Sequence, residues 1–592
     1  MKMTWRIFDF ACPRFDDANA LDARFEPFYP RPMSNDFVTL PRDTNQALGI
    51  AQYAIDFMSD ASGKRGEPDN SVLERTNWFF TDACICGISA LSLGTNAPTL
   101  LRDEAMFYST PVSGSGTMQG VPWARAGSTV RTGVPCFGSN VDVQVEKAIV
   151  ANCAAVREWD SNGTNFGYNP SRKQTAGEFG HNDFYAVALA AAQLRGKNGA
   201  FALRGMILLD EIRGRLAEAF SLKSYKIDHV VHGAIGSAAA FGAMMGATAE
   251  QIESAIGMVI AHSIPFRAIR AGKQLSDSKG ASAAISTEAA IMAIRRSMMG
   301  FLGPRDIFRN PEAIFRLFQG PGQLFAKTES AGTGIPDAVK GKDFASPFDL
   351  YLARTGDDFA VMGMHFKLGL YEHQSAGALQ GLINLINAQP HLLDDRTGDC
   401  IKAMRVRAYE PAFGIIGDPA KRDPKTRQSA DHSMLYLVCT MLRSALELRA
   451  AGHKGKMTWK ELMLSPNDFT HDALYHPVTR ALMLKMSFEH GGAEYDAKYP
   501  DGIPTSMVIT DEQDESFDSG MVMYPGGHAR NHLGPDKVDL KSVLDHKFRL
   551  LGAFAANKPE PLIKRLSDLE KKSIKDVQSL MDFAYNLQGK YE

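Results

Sequence analysis

A chain of 592 residues is too long for one hydrophobic core, so the length implies two or more domains. Apolar residues make up 44% and charged residues 22%, the balance of an ordinary globular protein. The formal net charge of −2, with no basic excess and no charged tail, argues against a nucleic-acid partner.

Taken in chain order, residues 1–70 are first rich in Pro and Asp and then give a helical stretch, NQALGIAQYAIDFM. SVLERTNWFFTDACICGISALSLGT, from 71, shows helical spacing. Residues 104–140 are rich in Gly, Pro, Ser and Thr and read as loop with short strands. From 142 onward, Ala-rich helices are predicted over 142–157, 184–195, 202–220, 230–247, 249–263 and 280–299. TAEQIESAI places Thr248 three residues before Gln251, a capping box, and GFLGPRDIF stops the last of these helices. Beyond 360 the texture mixes a helix over 374–388 with strand-like runs, IKAMRVRAYEP, MLKMSFEH, TSMVITDE and SGMVMYP. The last 50 residues return to amphipathic helices. The expected fold is mostly α with a smaller α+β part: a large helical domain over 71–362 and an inserted α+β lid over 363–529. Residues 1–70 would form an N-terminal extension and first helix, and helices over 530–592 would return to the large domain.

The cysteines are Cys12, Cys84, Cys86, Cys136, Cys153, Cys400 and Cys439, an odd number placed mostly in apolar segments. This reads as reduced thiols in a reducing compartment, and the cytoplasm is expected. There is no CxxC, and Cys84 and Cys86 are wrongly spaced for two ligands on one helix face. A structural zinc or an iron–sulfur cluster is therefore disfavoured. The N-terminus has no signal-peptide core. The most membrane-like run, GAIGSAAAFGAMMGATA at 233–249, is too short and too rich in Gly and Ala to span a bilayer, so a buried helix is expected.

The chemistry-bearing residues collect in a few places. EWDSNGTNFGYNPSRKQTAGEFGHNDFY, 158–185, is polar between two apolar helices. Asp160 and Thr164 follow the first helix, and Glu178, His181 and Asp183 precede the second. A His among carboxylates suits proton transfer near neutral pH. Alone, the segment also reads as a solvated loop with a helix cap at Asn182 or Asp183. HSIPFRAIRAGKQLSDSKG, 262–280, gathers Arg267, Arg270, Lys273 and Lys279 before a helix, which suits an anion or an ion pair with Glu288. IDHVVHG sets His229 and His232 three apart, HFKLGLYEHQSA carries Lys367 and His373, ADHS carries Asp431 and His432, and YPGGHARN carries His528 and Arg530. No P-loop, Rossmann fingerprint or GxSxG occurs, and GSGTMQG at 114–120 follows no βα unit.

In order and spacing these segments resemble the 2-methylcitrate dehydratase / cis-aconitate decarboxylase (MmgE/PrpD) family, with 2-methylcitrate dehydratases as the nearest pattern. EWDSNGT resembles its aspartate signature and EFGHNDFY its Glu-aromatic-Gly-His segment. IDHVVHGAIGSAAAFGAMMGATAEQIESAIGMVIAH resembles its helix pair, RAIRAGKQLSDSKGASAAISTEAA its Arg/Lys loop, and HFKLGLYEHQSAGAL the start of its lid. RVRAYEP, ADHSMLYLV and YPGGHARN continue the order. The resemblance runs from about 70 to 545. It implies a helical domain with an α+β lid and the site between them. It implies no cofactor or metal, a homodimer, a small tricarboxylate substrate without nucleic-acid or membrane partners, and a place in propionate metabolism. Carried over by position, the site comprises Asp160, Thr164, His181, Lys279 and Lys367. His229 matches with a small shift, and His373 and Tyr409 follow. Gly163 stands where the family pattern has a second Asp, and Asn182 where it has Pro. About ten extra residues, near FGYNPSRKQT, separate the two signatures.

The implied reaction is β-elimination of water from a 2-hydroxy tricarboxylate, 2-methylcitrate to 2-methyl-cis-aconitate. His181, oriented by Asp160 or Asp183, would move the proton. Lys279 and Lys367, with Arg267 or Arg270, would hold carboxylates, and Thr164 would hydrogen-bond the substrate. The same equipment could decarboxylate cis-aconitate or epimerise an amino-dicarboxylate. The altered signature also leaves open a non-catalytic binding or scaffold protein.

Overall fold

The computed structural model describes residues 35–110, 131–270, 275–317 and 345–591. Residues 1–34, the GSGTMQG run, Lys273 and Cys12 lie outside them. The described chain is mostly helical with small sheets, the mixture that the sequence suggests.

Among the described residues, nine helices build the first half: α1 (Gln46–Met58), α2 (Asn70–Ser92), α3 (Asn96–Met106), α4 (Val145–Arg157), α5 (Tyr185–Leu194), α6 (Gly199–Ala219), α7 (Val230–Met245), α8 (Ala249–His262) and α9 (Asp277–Met298). In α1, Ala47, Ile50, Ala51, Ala54 and Phe57 are buried, a helical stripe that packs on α7 and α8. Small residues let α7 sit at the centre, against α6, α8 and α9. A side chain at Gly236 would approach the Leu209 carbonyl of α6 at 3.1 Å. The Thr248 capping box forms as the sequence predicts. Each fully buried Leu, Ile or Phe in this core contributes about 1.5–3 kcal/mol over its exposed state. α3 runs to Met106, just into the stretch from 104 that the sequence suggests is loop.

Long-range pairing closes this half. Strand Asp36–Leu40 runs antiparallel to Leu350–Gly356, which also pairs in parallel with Glu67–Pro68. The second part is a four-stranded sheet in which Ile401–Ala408 is flanked by Met486–His490 and Thr505–Asp511, with Ser516–Asp518 at the edge. Helix Ala376–Ala388 packs on strand Thr505–Asp511 and on helix Met434–Ala450. SGMVMYP is not a strand: only Val522 bridges, to Thr505, and Gly520 turns the chain at φ +67°. Helix Leu540–Ala555 returns to pack against α2. Among the described residues all six cysteines are free thiols, five of them buried, and no single helix is long and apolar enough to cross a membrane.

Candidate active site

The polar stretch after α4 is not a solvated loop. Residues 158–166 and 177–185 are buried. α4 ends at Arg157, where a cation suits the helix C-terminus. The chain then turns at Asp160, whose φ of +50° is a left-handed conformation that aspartate tolerates. A short hairpin follows: Thr164–Phe166 pairs with Phe179–His181, and Thr164 stands opposite His181. Thr164 also exchanges backbone hydrogen bonds with His365 at 3.0 and 2.7 Å, and its hydroxyl donates to the Gly180 carbonyl at 2.8 Å. The expected helix cap is absent. Phe184 precedes α5, while Asp183 accepts from Asn162 at 2.6 Å.

Asp160 is the hub of a buried charge network. Its carboxylate accepts from Arg157 and from Lys367, and Lys279 lies 3.2 Å away. His432 Nε2 stands 3.3 Å from the same carboxylate. Burial alone would raise the Asp160 carboxyl, but Arg157, Lys367 and Lys279 outweigh it and hold it well below the usual carboxylate range. Lys279 also reaches Asp431 at 3.0 Å, Asp431 meets His432 Nδ1 at 2.6 Å, and Arg427 bridges Asp431 to Glu158. Asp160, Asp431 and His432 present donor atoms within 4.8 Å of one another, a spacing a metal could use. The Lys279 ammonium already balances both carboxylates, so this donor set does not fit a metal.

The sequence assigns Asp160 or Asp183 to orient His181; the geometry corrects this. Arg157 Nη2 lies 3.1 Å from His181 Nε2. A guanidinium can only donate, so Nε2 accepts and the imidazole proton sits on Nδ1. Both carboxylates act through Arg157, whose Nε lies 3.7 Å from Asp183. Burial first, then Arg157 and Lys367, hold the His181 pKa well below its ordinary value, so the ring is neutral. Its Nδ1 has no hydrogen-bond partner among the described residues.

His181 opens onto a narrow cavity of about 40 Å³, room for a few waters. One wall carries Arg157, Thr164, His181, His229, Arg267 and Arg270; the other carries Glu372, Gln374, Ile415, Lys421 and His432. The lining has four basic side chains, Arg157, Arg267, Arg270 and Lys421, against one acid, Glu372. Larger grooves of about 760, 510 and 480 Å³ lie elsewhere but gather no comparable buried acid–base set. His229 precedes α7, and neither ring nitrogen has a hydrogen-bond partner among the described residues. Burial holds it neutral against the nearby Asp228. Asp228 is taken by Arg270. Burial pushes the Glu372 carboxyl up to about 7, with Lys367 opposing, so it titrates near neutral pH.

Of the other expected residues, Lys279 and Lys367 stand behind the cavity wall in the Asp160 network rather than on the lining. His373 and Tyr409 are fully buried beside the cavity. His373 stacks on His365 at 5.0 Å and Tyr409 on Tyr499 at 4.8 Å. His232 is a core histidine facing Phe315. Glu288 pairs with Lys147 at 2.8 Å rather than with Arg267, Arg270 or Lys279. The signature departures concern packing. A Cβ on Gly163 would meet the Phe79 ring at 2.5 Å, and Asn182 accepts from Asn162 at 3.0 Å. The extra residues do not cover the cavity. Only Phe166 lines it, while Arg172 lies over Phe37 at 3.8 Å and Gln174 donates to the Asp349 carbonyl at 2.6 Å.

The sequence reading missed Arg157, Glu372, Lys421 and the part played by His432. Arg157 and Glu372 carried a usable signal, each being a charge in an otherwise apolar run beside a site residue. Lys421, in the polar GDPAKRDPK, carried none. Residues 61–324, which contain the hairpin, His229, the Arg267–Arg270 turn and Lys279, match the model of the MmgE/PrpD N-terminal domain. Over these residues the chain carries the N-terminal domain of the MmgE/PrpD family.

Proposed function

We propose that this protein is a hydro-lyase that eliminates water from a 2-hydroxy tricarboxylate, with 2-methylcitrate as the favoured substrate and 2-methyl-cis-aconitate as product. The observation that carries the reading is one narrow cavity holding a neutral histidine with an available N–H, a carboxyl titrating near neutrality, and an excess of cations. In this scheme ionised Glu372 takes the proton from the carbon beside a carboxylate. The C–H electron pair becomes the new C=C bond as the neighbouring C–O bond breaks. His181 Nδ1–H protonates the departing hydroxyl, which leaves as water, and the imidazolate left on the ring is stabilised by the Arg157 guanidinium at Nε2. Arg157, hydrogen-bonded to Nε2, fixes the ring and the tautomer. Arg267 stabilises the charge that builds on the substrate carboxylate.

A tricarboxylate needs more room than the few waters this space holds, so the walls must part to admit it. The second wall comes from residues 372–432, within the part expected to act as a lid, and this part is proposed to move. Ultraviolet absorbance of the conjugated product gives the test. Wild type should turn over 2-methylcitrate, and His181→Ala should be slower by roughly 10²–10⁴-fold. Unchanged turnover in the variant removes His181 from the chemistry. Carbon dioxide release from cis-aconitate, or deuterium exchange without loss of water, would replace dehydration with decarboxylation or epimerisation.

A further inference from the structure

We propose that Lys421 is the specificity-determining cation of this site, binding a second carboxylate so that the cavity selects anions with more than one. The inference rests on the reading of the cavity as a polycarboxylate site.

Four lysines are deeply buried among the described residues: Lys279, Lys367, Lys421 and Lys547. Three have carboxylate partners: Lys279 with Asp431 and Asp160, Lys367 with Asp160, and Lys547 with Asp82. Lys421 is the exception. It is 7% exposed, lines the cavity, and has no ion-pair or hydrogen-bond partner for its ammonium among the described residues. A buried charge without a partner is costly to keep. A fold that retains one at a cavity wall has a use for it there.

The same contrast holds among the lining arginines. Arg157 is bound to Asp160 and Arg270 to Asp228. Arg267 keeps a buried Nη1 without a partner among the described residues. The two uncommitted cations come from different elements. Arg267 stands on the helical turn Arg267–Arg270, and Lys421 on the turn Pro419–Lys421 beyond strand Ile401–Ala408. The π-helical turn Ala412–Ile416 between that strand and Lys421 supplies Ile415 to the same wall. One carboxylate can satisfy one such cation, and an anion with two or three can satisfy both while bridging the walls. Burial pulls the Lys421 ammonium down to about 8 and lowers Arg267, as expected for cations whose compensation arrives with a ligand. Glu372 shares this wall with Lys421 and is opposed by Lys367. It is partly protonated near neutral pH and does not neutralise Lys421 fully.

The test pairs binding with stability. Tricarballylate, a tricarboxylate with no hydroxyl to eliminate, is titrated calorimetrically into wild type, Lys421→Met and Lys421→Arg. Lys421→Met should bind roughly ten- to a hundredfold more weakly, and Lys421→Arg should recover most of the loss. Without ligand, Lys421→Met should unfold at or above the wild-type temperature, since it removes an uncompensated charge. A purely structural lysine would lower that temperature. Wild-type affinity in Lys421→Met, or a fall in its unfolding temperature, overturns the proposal and leaves the polycarboxylate reading intact. Failure of wild type itself to bind removes that reading and this one together.

Discussion

Replacing Asp160 with Ala should lower the unfolding free energy by about 3–5 kcal/mol, read from urea or thermal denaturation. The carboxylate is fully buried, and it receives Arg157 and Lys367 directly, with Lys279 at 3.2 Å. Without it, Lys367 keeps only the backbone carbonyl of residue 160 as an acceptor, at 2.7 Å. Lys279 keeps Asp431, and Arg157 keeps the more distant Asp183. Three cations then face one another in a dry interior. Asp160→Asn preserves volume and one acceptor but not the charge, and should recover only part of the loss. The same substitutions should abolish turnover, because Arg157 would no longer be fixed against His181 Nε2. An Asp160→Ala protein with an unchanged denaturation midpoint would show that the network is held elsewhere.

The second large effect is expected far away in sequence. Lys547, on helix Leu540–Ala555, is fully buried and pairs with Asp82 of α2 at 2.7 Å. Its ammonium also donates to the backbone carbonyls of Ser161 and Lys367, at 2.7 and 2.8 Å. One side chain thus ties the returning C-terminal helix to both backbone segments that carry the Asp160–Lys367 pair. Lys547→Met should cost about 3–5 kcal/mol, since it leaves Asp82 buried without its cation and two carbonyls without a donor. Asp82→Leu in the same protein should restore the charge part but not the carbonyl part. The double-mutant cycle should therefore give a coupling of about 1–3 kcal/mol by chemical denaturation. Strict additivity would contradict the pair. The polar partners of Lys547 among the described residues, Ser161, Lys367 and Asp82, do not line the cavity, so any loss of turnover that outlasts restored stability reports the shift of Ser161 and Lys367.

These two networks explain why the sequence was legible in its helices and less so in its site. The Ala-rich runs of α4 to α9 carry their period in the residues themselves, and Thr248 with Gln251 marks the start of α8 by local hydrogen bonds alone. His181, Asp160 and Thr164 stood out because a polar segment between two apolar helices is costly unless it is used. What could not be read is pairing across the chain. Asp36–Leu40 meets its partner strand at residues 350–356, and Lys547 meets Asp82, through folding that no local pattern encodes. The direction of neighbouring side chains was equally hidden. In LYEHQS, His373 drew attention, yet Glu372 faces the cavity while His373 turns to stack on His365. Gly163 and Asn182 looked like changes to the chemistry until their neighbours, Phe79 and Asn162, made them packing residues.

The most direct measurement is a crystal structure of the protein with citrate. The account predicts citrate between the two walls, with one carboxylate on Arg267, another on Lys421, and its hydroxyl within hydrogen-bonding distance of His181 Nδ1. Citrate bound in one of the outer grooves, or seated in the cavity without contact to Arg267 and His181, would contradict it.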